Sequence, residues 1–286
     1  RDWSSDVCSS DLAIAVHHGD SDSSGDGYLN LLVEDNFATG SGVPGNGLYV
    51  QTYASTADVD IDVIGNEFVD VLGSGVRIYQ SSYSSASGGL GSFSAYIANN
   101  TLEASSSTSN YGDGVQVYLA RGAYGSGAQG EVTVDVLDND ITGFGSRGIY
   151  VYHSATPSGS APSGTFDANI NGNQIVAGGG ASGIVVDAGI TDYTYGGGGI
   201  PHTIDILSNV MSGVADGVYV SFSAQSYGSG GGGQSPLTAN IEDNEINRGD
   251  YKGTGIRFNA MATASSGQAF DTELTIRNNQ IGRAHV

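Results

Sequence analysis

Cysteine and tryptophan are almost missing from this chain: Cys8 and Trp3 are the single examples among 286 residues. A lone thiol forms no internal disulfide, so cross-links do not hold the fold together. Charge is also scarce, at 14% of residues, well below the usual quarter. The shortage falls on the basic side, with nine Lys and Arg against 30 Asp and Glu and a net charge of −21. Such a field repels phosphate backbones and anionic lipid surfaces, which argues against nucleic acid as a partner. No apolar stretch reaches the roughly eighteen residues of a membrane span. Glycine, 46 residues of it, fills the gap together with Ser and Asn. That composition predicts a turn-rich, strand-rich chain with few helices.

The two ends stand apart. Residues 1–12 read RDWSSDVCSSDL and residues 281–286 read IGRAHV. Both resemble translated read-through of a sequencing-library adapter, and are expected to be foreign to the natural protein. The native span is then 13–280, incomplete at both ends, and it holds no Cys or Trp. Lack of cysteine suits a bacterial secreted or cell-surface protein stabilised by repeats rather than disulfides.

Within that span an Asn recurs at Asn36, Asn66, Asn100, Asn139, Asn173, Asn209, Asn244 and Asn279, at intervals of 30 to 39 residues. Two residues after it comes an apolar side chain, as in Phe68, Leu102, Ile141 and Ile175. Before it the aliphatics alternate, as in Ile61/Val63, Val134/Val136 and Ile204/Ile206. Alternation of this kind marks a strand with one face in and one face out. Some eight to fourteen residues later a Gly opens a second alternating strand: Gly75-VRIY, Gly114-VQVY, Gly148-IYVY, Gly217-VYVS. Each unit thus predicts a strand ending at the Asn, a very short strand after it, and a third after the Gly. One unit cannot bury its apolar side, but stacked units can, with like residues about 4.8 Å apart. An inward Asn can bond the Asn above and below it in a ladder, and Asn tolerates left-handed backbone at a bend.

This phrase, N-x-aliphatic followed by G-[IV]-x-[VI], resembles the repeats of the pectate-lyase-like superfamily. The resemblance implies an all-β, right-handed parallel β-helix of about eight rungs, each of roughly 35 residues. A left-handed helix would show hexapeptide periods and a calcium roll nonapeptides. Neither is present. The superfamily includes lyases, hydrolases, epimerases, tailspikes and adhesins, so the fold alone implies no single activity.

Outward positions after the Gly form two columns. One runs Tyr49, Arg77, Gln116, Tyr150, Val185, Tyr219, Arg257; the other runs Gln51, Tyr79, Tyr118, Tyr152, Asp187, Ser221, Asn259. Tyr79, Tyr118 and Tyr152 in succession, with Tyr150, Tyr219, Arg77 and Arg257 alongside, predict an aromatic face suited to sugar rings and their hydroxyls. The other exposed strand carries Asp60, Asp62, Asp135, Asp167, Asp205 and Glu242. In pectate lyases an acidic cluster of that kind holds calcium. Here Tyr96 and Asn169 interrupt the acidic column, and no lyase motif matches residue by residue, so catalytic residues stay unassigned. Asp138 and Asp140 flank Asn139 as ordinary turn residues. Asp20, Asp22 and Asp26, set around Gly25 and Gly27, resemble a calcium loop without the Glu at its twelfth position. His17, His18, His153 and His202 are expected at the surface, with no metal-ligand company.

The leading expectation is an extracellular or cell-surface array acting as an adhesive, structural or carbohydrate-binding scaffold, with polysaccharide or a host glycan as partner. Adjoining rungs of a longer chain are a further expected partner. The alternative is a polysaccharide-active lyase, hydrolase or epimerase. Calcium is the one cofactor the residues suggest.

Overall fold

The computed structural model describes residues 14–19, 28–40, 45–53, 57–84, 89–106, 112–124, 129–158, 164–193, 199–227, 235–264 and 271–282. Across them the chain is an all-β parallel solenoid. It visits three sheets in turn, each of eight strands paired in parallel. The first sheet holds the post-glycine strands, from Ile14–His18 to Ile256–Ala264. The second holds the strands that lead into each Asn, from Leu29–Glu34 to Thr272–Arg277. The third holds the three- to five-residue strands that follow it, from Phe37–Thr39 to Gln280–Gly282. The adapter-like residues 1–12 lie outside the described span, whereas Ile281 and Gly282 complete the last short strand.

Alternation drives this arrangement. In Val59–Ile64 the inward Val59, Ile61 and Val63 are buried while Asp60, Asp62 and Ile64 are partly exposed. Parallel register then places like on like: Val136 pairs with Ile97 and with Ile170. Phe68, Phe93, Phe144, Phe166 and Phe222 are the largest fully buried side chains, within one continuous core. Burying each aliphatic or aromatic side chain contributes on the order of 1.5–3 kcal/mol.

Two columns fix the corners. Asn139 donates from its backbone N–H and from Nδ2 to Asn173 Oδ1, both at 3.0 Å, and Nδ2 also reaches Ile97 O at 2.9 Å. The same pattern of bonds to the next Oδ1 runs from Asn36 to Asn279, so the buried amides satisfy one another. The left-handed bend falls one residue earlier than the sequence suggested. Asp35, Gly65, Asn99, Asp138, Gly172, Ser208, Asp243 and Asn278 have φ between 53° and 68°. Asp, Asn and Gly tolerate that region best, which leaves the following Asn free to point inward.

The glycine column answers a steric demand. A Cβ on Gly148 would lie 2.5 Å from Ile175 Cγ2 and 2.8 Å from Gly183 O. Gly75, Gly114, Gly183 and Gly217 meet equivalent atoms of the neighbouring rungs. No larger residue fits where the third sheet packs against the start of the first.

Post-glycine strands lengthen toward the middle of the molecule, from five residues at Leu48–Thr52 to twelve at Arg147–Ser158. This builds a broad platform on the outer face of the first sheet.

Candidate functional site

The platform carries both outward columns in the order the sequence implies. Register runs Tyr49–Arg77–Gln116–Tyr150–Val185–Tyr219–Arg257, and Gln51–Tyr79–Tyr118–Tyr152–Asp187–Ser221–Asn259 beside it. Tyr79 and Tyr118 stack with ring centroids 5.1 Å apart and planes 8° from parallel. Tyr118 and Tyr152 follow at 4.3 Å and 13°. The ring faces are therefore turned on each other, along the solenoid axis. Outward, this half-buried stack presents edges and hydroxyls rather than the flat faces expected for sugar stacking.

Arginines lock the neighbouring column. The Arg77 guanidinium lies 5.6 Å from the Tyr49 ring centre, Arg257 lies 5.7 Å from Tyr219, and Arg147 lies 3.5 Å from Tyr150. Such cation–π contacts contribute roughly 0.5–2 kcal/mol each. Arg147 also grips Asp113 through Nε at 2.8 Å and Nη2 at 3.0 Å. The sequence reading missed this pair, yet its signal was there. Each residue immediately precedes a column glycine, Gly114 or Gly148, in adjacent rungs.

Arg77 and Arg257 do not meet. Five rungs separate them, about 24 Å at the strand spacing, so Tyr219 and Arg257 form a patch of their own. The central patch joins Tyr79, Tyr118, Tyr152, Tyr150, Arg147 and Asp187. Tyr150 tilts 43° against Tyr152 at 6.4 Å. Burial, and then the Asp187 charge, push the Tyr150 hydroxyl up to about 12, with Arg147 opposing. Burial raises Asp187 as well, against the Tyr150 hydroxyl bond and Arg147. Burial, followed by Tyr152, raises Tyr118. At neutral pH these phenols stay protonated and act as hydrogen-bond donors.

The acidic face of the second sheet is interleaved with amides. Asn169 donates to Asp135 at 3.2 Å and Asn240 to Asp205 at 2.7 Å. Asp135 and Asp205 are two rungs apart in the same column, about 10 Å by strand spacing, with Asn169 between them. Asp62 is raised by burial and by neighbouring Asp60. Glu242 accepts from Arg277 at 2.7 Å, and with Asp205, Leu207, Asn240 and Thr275 this pair lines a shallow depression of about 450 Å³. Asp138 is spent on the bend, with φ 54°.

Asp20, Asp22 and Asp26 lie outside the described residues. Among the described residues, no group of three or more His, Cys, Asp or Glu is placed to hold a metal ion.

Two histidines correct the surface expectation. His17 is exposed and meets the Tyr49 edge at 5.7 Å. His153 and His202, however, are 2% and 1% exposed. His153 lies flat on Phe166, centroids 4.4 Å apart and planes 5° from parallel, and 5.4 Å from His202. Burial holds His153 far below the ordinary histidine range, helped by His202 and Arg121, and burial brings His202 down to about 4. Strand alternation explains the placement: counted from Gly148, His153 is the fifth residue and points inward like Ile149 and Val151. By the same count from Gly114, Arg121 points inward. It is 2% exposed and donates to Gly91 O, while its Nε and Nη1 have no partner among the described residues.

No protein-family model, curated protein or solved structure matches this chain, so what stands is the architecture itself: a parallel β-helix.

Proposed function

We propose that this chain is an extracellular or cell-surface scaffold whose first sheet binds polysaccharide along its tyrosine–arginine platform. The observation that carries this reading is the Tyr79–Tyr118–Tyr152 stack, held on a parallel sheet between Arg–Tyr pairs. Rigid aromatic side chains lose little conformational entropy on contact, and protonated phenols donate to sugar hydroxyls or carboxylates. Recognition on this geometry runs through ring edges, hydroxyls and guanidinium groups. Stacking is left to the outer faces of the end rings Tyr79 and Tyr152, against which no further ring lies parallel among the described residues. The repeat phrase that resembles pectate-lyase-like proteins fits a glycan-directed role. A surface location accords with the lack of cysteine in 13–280.

A polysaccharide-cleaving reading draws on the depression that gathers Asp205, Glu242 and Arg277. There Glu242 is engaged by Arg277 and Asp205 by Asn240, which speaks for electrostatic pairing over acid–base work.

The test compares wild type with the Tyr79→Ala/Tyr118→Ala/Tyr152→Ala variant in affinity electrophoresis and calorimetry against acidic and neutral polysaccharides. Binding by the wild type and its loss in the variant are expected. Equal binding by both, or none at millimolar sites, removes the proposal. Release of oligosaccharide by the wild type, abolished in Glu242→Gln, would move the function to the second sheet.

A further inference from the structure

Polar side chains enter the core where the first-sheet strands run longest. Counted from Gly75, Gly114 and Gly148, Gln80 is the fifth residue, Arg121 the seventh and His153 the fifth, all inward positions. Gln129 and His202 come from the second-sheet side, at the approach to Val132–Leu137 and at the start of His202–Leu207. All five are 1–2% exposed.

These groups adjoin one another. Leu119, two residues before Arg121, is registered with Gln80 on one side and His153 on the other. The Arg121 charge reaches His153 and helps to hold its imidazole neutral, and the His153 and His202 rings lie 5.4 Å apart. Gly130, next to Gln129, packs so closely on Gly91 O that a Cβ there would overlap it, and Gly91 O is the acceptor of Arg121 Nη2.

Their hydrogen-bonding atoms outnumber their partners. Among the described residues, Arg121 Nε and Nη1, both ends of the Gln129 amide, Gln80 Oε1, His153 Nδ1 and His202 Nε2 have none. Such atoms are costly to bury unless something satisfies them. Charge narrows what that something is. Both histidines are neutral, and no carboxylate forms an ion pair with Arg121 among the described residues. A buried guanidinium needs a counter-charge. His202 Nδ1 donates to Ile200 O, so its Nε2 carries a lone pair that a metal cation would accept. The neighbouring guanidinium repels a cation, however, and no third ligand stands near among the described residues. The free donors, Arg121 Nε and Nη1 with Gln129 Nε2, favour an anion.

We propose that Arg121 and Gln129 hold a small monovalent anion of chloride size inside the solenoid, as counter-ion to the guanidinium. One negative charge neutralises Arg121, whereas sulfate or phosphate would bring a second charge with no cation to meet it. Enclosure among side chains that are 1–2% exposed limits the ion to about the size of a water molecule. The site does not depend on glycan binding, because Tyr118 and Tyr152 occupy outward positions of the same strands.

Equilibrium urea unfolding in sodium chloride and in sodium gluconate at equal ionic strength tests it, since gluconate is too large to be enclosed. Chloride should raise the wild-type midpoint, with a logarithmic dependence once its concentration exceeds the dissociation constant. Arg121→Met should lose that response and, in gluconate, unfold at a higher midpoint than wild type. Gln129→Leu removes one hydrogen bond to the ion and should weaken chloride about tenfold. Exposed Lys252, changed to Met, should leave the response intact. Protein refolded from urea in bromide and crystallised should show an anomalous bromide peak within hydrogen-bond reach of Arg121, a readout independent of how the variants fold. Equal wild-type midpoints in the two salts, an undiminished chloride response in folded Arg121→Met, or no bromide at Arg121 would each overturn the proposal.

Discussion

Tyr118 and Tyr152 lie 4.3 Å apart with ring planes 13° from parallel, so each spends one π-face on the other. Tyr118 spends its second face on Tyr79. Stacked pairs contribute about 0.5–1.5 kcal/mol beyond area burial. Tyr118→Ala should therefore cost about 1–3 kcal/mol by urea unfolding, well above Gln116→Ala on the same strand. Tyr118→Phe, which keeps both faces, should stay close to wild type. A Tyr118→Ala midpoint equal to that of Gln116→Ala would mean that the stack contributes nothing.

Removing one ladder amide leaves buried partners on both sides. In Asn139→Ala, Asn100 loses the acceptor for its N–H and Nδ2, Asn173 Oδ1 keeps the backbone N–H but loses the Nδ2 donor, and Ile97 O loses one donor. A destabilisation of about 1–3 kcal/mol is expected, read as a shift in the urea midpoint at unchanged slope. Asn36→Ala, where the side chain is only partly buried, should cost distinctly less.

Acid should weaken the fold through the buried histidines. Folding lowers His202 from the ordinary 6.5 to about 4. Above pH 6.5 neither state carries the proton, and the contribution is complete. As pH falls toward 4 the unfolded chain takes up a proton that the folded chain refuses, and stability drops by about 3 kcal/mol for this residue. His153 acts in the same direction. Urea midpoints from pH 7.5 to 4.5 should show the decline, and His202→Phe should flatten it. An unaltered slope in that variant would place the acid sensitivity elsewhere.

Arg121 is a buried cation that, among the described residues, donates to Gly91 O and leaves Nε and Nη1 without a partner. Burial lowers it to about 10, so it remains charged at neutral pH. Among the described residues no carboxylate forms an ion pair with it. Replacing an uncompensated buried charge by an apolar side chain of similar length stabilises by roughly 1–4 kcal/mol. Arg121→Met should raise the urea midpoint at pH 7. A clear fall would show that the guanidinium is held by a group that matters to the fold.

The period of Asn36 to Asn279 and the flanking alternation determined the architecture without coordinates. Any chain with that repeat must stack its rungs to cover the aliphatic faces, and parallel stacking puts like on like. Inside and outside were equally legible. The inward positions of His153 and Arg121 follow from counting residues after Gly148 and Gly114, although a histidine without metal-ligand company was expected at the surface. Only the folded structure decided how neighbours in a column use each other. A column order cannot say whether tyrosine rings turn their faces to solvent or to the next rung, because that depends on rotamers chosen jointly by adjacent strands. Nor can it say that amides such as Asn169 and Asn240 would engage Asp135 and Asp205, or that Arg147 would close on both Asp113 and Tyr150. Those outcomes depend on side-chain reach across the strand spacing, a distance that exists only once the rungs are stacked.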